Sequence, residues 1–152
     1  MNAAIVTTHL ASPWKRLGAA LIDGLVAVLM VVPIMSLTGM LPQVLNDQPL
    51  TLNQQIALFV GGWILFLIWN GYLLYHKGQT IGKAVTKIRI VDQNGDVPSF
   101  GKLFGLRYFL PGLIAQIPLV GGGLSIVDVL FIFGQEHRCL HDHLAGTWVI
   151  NE

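Results

Sequence analysis

The chain is expected to fold as an all-α membrane protein, a small transmembrane helical bundle with a short cytoplasmic two-strand β element. Three observations lead there. Residues of the AVILMFWYC set fill 53% of 152 positions and charged residues only 11%, against about 25% charged in a typical soluble domain. A globule this small then lacks the polar surface to face water all round, so lipid must cover part of it. The apolar residues gather in runs long enough to cross a bilayer, and one alternating stretch between them supplies the β signal.

The first run, Leu17–Met35, is broken only by Asp23. Ser12 and Pro13 sit where an N-cap and a first-turn proline belong, ahead of Trp14, Lys15 and Arg16 at the interface. The basic pair lies well inside the chain and no Ala-x-Ala site follows, so an uncleaved helix over about 14–40 is expected rather than a signal peptide. Pro33 and Gly39 lead into a loop with Pro42, Asp47 and Pro49. The second run, Ile56–Tyr75, carries no charge and gives a helix over about 56–76. Asn70 is its strongly polar member, expected to make an interhelical hydrogen bond.

Residues 77–98 read as a cytoplasmic segment. Lys87-Ile-Arg-Ile-Val-Asp92 alternates like a short strand, and Asn94-Gly95 is a turn signal. The last stretch, Leu103–Phe133, holds Arg107, Pro111, Pro118 and Gly121-Gly122-Gly123. As one helix it would measure about 46 Å, too long without strong tilt. A third span over about 99–119, a break at the glycines and a shorter fourth helix over about 124–135 are expected. Such a hairpin lets Thr147-Trp-Val-Ile150 pair with Lys87–Val91.

All nine Lys and Arg lie before the first span, between residues 77 and 107, or at Arg138, and the 36–55 loop has none. The positive-inside rule puts the N-terminus and the 77–98 segment in the cytoplasm, and the hairpin puts the C-terminus there too. The whole of 1–152 is one domain, too short for a transporter of two fused halves. A net charge of +1 gives no nucleic-acid footprint, and the single Cys139 forms no internal disulfide.

The candidate functional residues are the charges inside the apolar runs, because a carboxylate near the bilayer centre costs roughly 2.5–3.5 kcal/mol and must be paired or put to use. Arg16 and Asp23 are seven residues apart, so they share a helix face about 10.5 Å apart along the axis, too far for a direct ion pair. Asp23 must look across an interhelical contact, to Arg107 or to the glycine-led helix N-terminus. Arg16, Asp23 and Asp128 are the ion or ligand candidates. Two carboxylates facing one cavity would raise at least one pKa, as proton coupling requires; the alternative is that they tie a small bundle in register. Asn70, Lys83, Arg89, Arg107 and Asp142 are structural or coupling candidates, with Lys83, Lys87 or Arg89 the expected partners of Asp142. His137, His141 and His143 surround Cys139 and Asp142, a weak zinc signal without a second ligand pair fixed by spacing, so no metal and no cofactor are expected. Gly78-x3-Gly82-Lys83 is one residue short of a P-loop, with Ala84 where Ser or Thr belongs. No ordered triad or nucleophile elbow occurs, so an enzyme is not expected.

Several blocks resemble the RDD family of bacterial membrane proteins, named for one Arg and two Asp. They are Arg16-x6-Asp23, Gly78-Gln-Thr-Ile-Gly-Lys83 with Ile88-Arg-Ile-Val91, Pro98-Ser99-Phe100-Gly101, and Leu140-His-Asp-His-Leu-Ala-Gly-Thr147. They run in the family's order from residue 14 to 150. Arg16 and Asp23 fall on the family's Arg and first Asp; Asp128 and Asp142 are both candidates for the second. The resemblance implies a bacterial plasma-membrane protein suspected of transport, with sodium–proton exchange linked to some members. Transport or exchange of a small ligand or monovalent cation, in a homo-oligomer, is therefore the leading expectation. A membrane adaptor or assembly subunit is the alternative. Anionic-lipid binding through Lys77, Lys83, Lys87 and Arg89 ranks third.

Overall fold

The structure is a computed structural model that describes residues 9–117, 120–134 and 138–152. Helix α1 spans Pro13–Leu37, entered through Ser12, whose hydroxyl accepts the Lys15 N–H at 3.4 Å. Pro33 does not end it; Thr38 does, its hydroxyl donating to the Ile34 carbonyl at 2.8 Å. A short helix α2 follows at Met40–Leu45. Helix α3 runs Leu52–Lys77 and starts four residues before the apolar run, because Thr51 and Gln54 form a capping box that satisfies the first turn. Both α1 and α3 are long and apolar enough to cross a membrane.

Helix α4, Ile81–Val85, leads to β1, Ile88–Val91. A π-helical stretch, Lys102–Phe109, then passes into α5, Leu110–Ala115. Helix α6 covers Gly121–Leu130 and is extended by a 3₁₀ turn at Phe131–Phe133. Helix α7, Leu140–Ala145, precedes β2, Trp148–Asn151. The strands pair antiparallel, Ile88 opposite Asn151 and Val91 opposite Trp148. The chain that leaves β1 therefore returns to the same end of the molecule. Leu10 bridges to Ile150 on the other side of β2, and the Ala11 N–H donates to the Val149 carbonyl at 2.9 Å.

Two helix boundaries differ from expectation. Helix ends at Ala115 rather than 119, and the next helix begins at Gly121 rather than 124, so the triple glycine opens α6 instead of breaking it. The reason is close packing: a Cβ at Gly121 would collide with the Ile114 and Ala115 carbonyls. Neither the Lys102–Ala115 stretch nor Gly121–Phe133 reaches the roughly 20 residues of a straight span. The expected end near residue 135 lies outside the described residues.

The buried core sits at the sheet end, where Ala11, Ala19, Leu74, Ile88, Ile90, Leu103 and Val149 meet, with Phe66, Phe100, Phe104 and Tyr108 against them. An aromatic seam continues from it between α3 and the π-helical stretch. Trp63 meets Phe104 edge-on at 5.4 Å, and Phe66 meets Tyr108 at 5.2 Å. Beyond that seam α1 and α3 turn their apolar side chains outward, Leu21, Leu25, Leu29 and Ile68 among them. Lipid is the natural cover for that surface.

Candidate functional site

The polar residues singled out in the sequence converge at the sheet end in two constellations. The larger is centred on Asp142, fully buried in the first turn of α7. Its carboxylate accepts the Cys139 backbone N–H at 3.1 Å, closing a capping box in which Cys139 stands where Ser or Thr is usual. Two guanidiniums pair with the same carboxylate: Arg16 from the first turn of α1 and Arg107 from the π-helical stretch. Arg107 also donates to the Thr147 hydroxyl at 2.5 Å. Arg138 donates to the Thr147 and Asp142 carbonyls at 3.2 and 3.3 Å and stacks on Trp148 at 4.1 Å, fastening α7 to β2. One carboxylate thus joins α1, the π-helical stretch and α7. The expected partners Lys83, Lys87 and Arg89 are not the ones used. They lie on the local basic segment, whereas the contact is made with cations from two apolar helices.

Asp142 continues into a short relay. His141 Nε2 lies 3.5 Å from Asp142, and His141 Nδ1 lies 2.6 Å from the Asp128 carboxylate, which also accepts the His141 backbone N–H at 2.9 Å. Burial would raise the Asp142 pKa, but Arg107 and Arg16 together hold it well below the usual carboxylate range. Burial lowers the His141 pKa below its ordinary value, against the hydrogen bond to Asp128 that pulls the other way. Burial, aided by the Asp142 charge, pushes the Cys139 thiol up to about 11.

The second constellation is built on Asp23. Its carboxylate accepts the Thr80 hydroxyl at 2.5 Å and the Gly82 N–H at 2.7 Å, while Asn70 of α3 accepts the Ile81 N–H at 2.9 Å. An acid and an amide from the two long helices therefore cap the N-terminus of α4, where orphan N–H groups favour negative charge. Gly82 makes this docking possible, since a Cβ there would collide with the Ala19 carbonyl of α1. Asp23 was expected to seek Arg107 or the glycine-led helix; it finds a helix N-terminus, but that of α4. Among the described residues Asp23 and Asp128 line different clefts. Asp23 and Asn70 line a cleft of about 80 Å³ between α1 and α3, and Asp128 and His141 line another of about 140 Å³ among α5, α6 and α7.

Of the other candidates, Lys83 places its ammonium 3.5 Å from the Thr80 hydroxyl and 5.6 Å from the Tyr108 ring. Arg89 lies on β1 opposite Ile150. For metal, His137 lies outside the described residues. The donors that do meet are Cys139, His141 and Asp142, within 4.8 Å of one another. A divalent cation there would compete with the two guanidiniums that already hold the Asp142 carboxylate, so the donor set does not suit it. Sequence reading missed Thr80 and Thr147, both fully buried. The Gly-Gln-Thr and Ala-Gly-Thr blocks were the signals that could have found them.

A family model described as RDD family matches residues 10–146. The chain is also 34% identical over 137 residues to the uncharacterized protein YckC of Bacillus subtilis (strain 168), covering 90% of this chain and 81% of that protein. No solved structure matches. With two helices able to span a bilayer and a family match over most of its length, the chain is a membrane protein that belongs to the RDD family.

Proposed function

We propose that the chain is a multi-pass bacterial plasma-membrane subunit that assembles with further membrane helices, a second copy of itself first, and is not an enzyme. The carrying observation is the state of its inner carboxylates. Asp142 is tied to two guanidiniums, Asp23 to the α4 N-terminus and Asp128 to His141. Carboxylates engaged this way act as ties that fix helix positions. The apolar faces of α1 and α3 that they hold in place remain available to lipid or to other helices. The charge distribution favours cytoplasmic termini, with the sheet end on the cytoplasmic side.

The second reading is cation or proton exchange, the leading expectation from the sequence. It is favoured by the α1–α3 cleft, which brings Asp23 and Asn70 to the end of a path lined by Met30, Leu65 and Trp69. One preparation tests both. In liposomes holding a proton-sensitive dye, added Na⁺, K⁺ or Li⁺ is expected to drive no flux, and native mass spectrometry is expected to show oligomers. Cation-driven flux that Asp23→Asn abolishes while remaining folded would overturn the assembly reading in favour of exchange.

A further inference from the structure

A cleft of about 100 Å³ lies on the α1 side of the Asp142 constellation, lined by Arg16, Leu17, Ala20, Lys83, Arg107, Val129, Ile132, Cys139 and His141. Three of these carry positive charge and none of the described lining residues is a carboxylate. Asp142 sits fully buried behind the cleft and pairs with Arg16 and Arg107 without lining it. Among the described residues the Lys83 ammonium makes a long contact to the Thr80 hydroxyl, at 3.5 Å, and lies 5.6 Å from the Tyr108 ring. Arg107 is 3% exposed, and its Nε has no hydrogen bond of good geometry among the described residues. The apolar lining comes from α1 through Leu17 and Ala20 and from α6 and its 3₁₀ extension through Val129 and Ile132.

Three cations together with apolar helix faces in one cleft suit a phosphate group at the membrane surface, because Arg and Lys together recognise phosphate oxygens by fork and point charge. We propose that this cleft binds a single phosphate group, carried by an anionic lipid headgroup or free in solution, with Lys83 and Arg107 as its donors. This site is separate from the assembly reading. It also differs from the lipid surface expected from the sequence, since of Lys77, Lys83, Lys87 and Arg89 only Lys83 lines it.

The test is thermal unfolding of the full chain in dodecyl maltoside with added phosphatidylglycerol, phosphatidylcholine or sodium phosphate. Arg16 and Arg107 also hold Asp142, so the informative variants are Lys83→Gln, Lys83→Arg and, as a control outside the cleft, the exposed Lys87→Gln. Phosphatidylglycerol is expected to raise the wild-type midpoint by about 3 °C or more. Lys83→Gln should lose that rise, while Lys83→Arg and Lys87→Gln keep it. A Lys83-dependent rise with sodium phosphate as well would support the site and name free phosphate as a source; a rise with phosphatidylglycerol alone would name the lipid. No rise from either, or one equal in wild type and Lys83→Gln, would overturn the proposal.

Discussion

The sheet end and the long helices solve opposite problems with the same chain. At the sheet end Arg16, Arg107, Asp142 and Thr147 are buried together, and the charged groups are matched to one another. Along α1 and α3, by contrast, the side chains are apolar and face outward, Leu29 at 64% exposure and Ile68 at 67%. Buried charge is tolerable only when paired and in fixed geometry, so the sheet end specifies which helix sits where. The helices need only be apolar and long, a requirement many sequences meet. Specificity is therefore concentrated where the polar groups are, and the lipid-facing surface carries little of it.

The sharpest way to break this contrast is Asp142→Asn. It leaves Arg16 and Arg107 buried without their shared anion, and removing one partner of a buried ion pair costs about 3–5 kcal/mol. The variant is expected to lose folded protein in detergent, read as early thermal unfolding or a fall in monodisperse yield. A midpoint within a degree of wild type would mean that the two arginines find water instead, and that the network is not what orders α1 against α7.

Next come two leucines of the long helices. Leu74 is fully buried near the end of α3, whereas Leu29 points outward from α1. Leu74→Ala is expected to cost about 2–5 kcal/mol and Leu29→Ala less than about 0.5 kcal/mol, measured side by side in the same detergent. Equal costs would show that the Leu29 face of α1 is itself covered by another helix in detergent, whereas the small cost places the oligomer contact elsewhere on α1 or α3. Gly82→Ala follows at about 1–3 kcal/mol, since the added methyl meets the Ala19 carbonyl. Hydrogen exchange should localise its effect to α4 and to the N–H groups that Asp23 and Asn70 cap.

The same contrast explains what could be read from the sequence. The long helices were legible because an apolar run declares itself locally, and β1 because alternation and a turn signal are local too; β2 was reached only through the expected hairpin that brings the chain back to β1. The polar constellations were legible only as ingredients. Arg16, Asp23 and Arg107 stood out by being charged in or beside apolar runs and Asp142 by the family block that holds it, but Arg16 and Asp142 lie 126 residues apart. No spacing rule joins such positions. Asp142 was assigned to the cations clustered in the 77–98 segment for that reason. The triple glycine was misread as a break because glycine weakens a helix on average, whereas at Gly121 it permits a close approach that no side chain allows. The π-helical register that carries Arg107 left no sequence signal.

The smallest expected effect tests the relay from Asp142 through His141 to Asp128. Burial lowers the His141 pKa below its ordinary 6.5, the hydrogen bond to Asp128 opposing it. The unfolded chain then takes up a proton first as pH falls through about 6.5, while the folded imidazole stays neutral. Stability associated with His141 is thus fully present above pH 6.5 and declines on acidification until the folded pKa is reached. Wild type should lose thermal stability between pH 7 and 5 more steeply than His141→Gln. The Asp142 contribution sits lower, retained above about pH 4 and lost only as pH falls further towards its depressed folded value. If wild type instead gains stability between pH 7 and 5 relative to His141→Gln, then the two flanking carboxylates outweigh burial and the folded state holds an imidazolium. In that case the sheet end would hold a buried imidazolium between two carboxylates, and the chemical contrast with the apolar faces of α1 and α3 would be greater still.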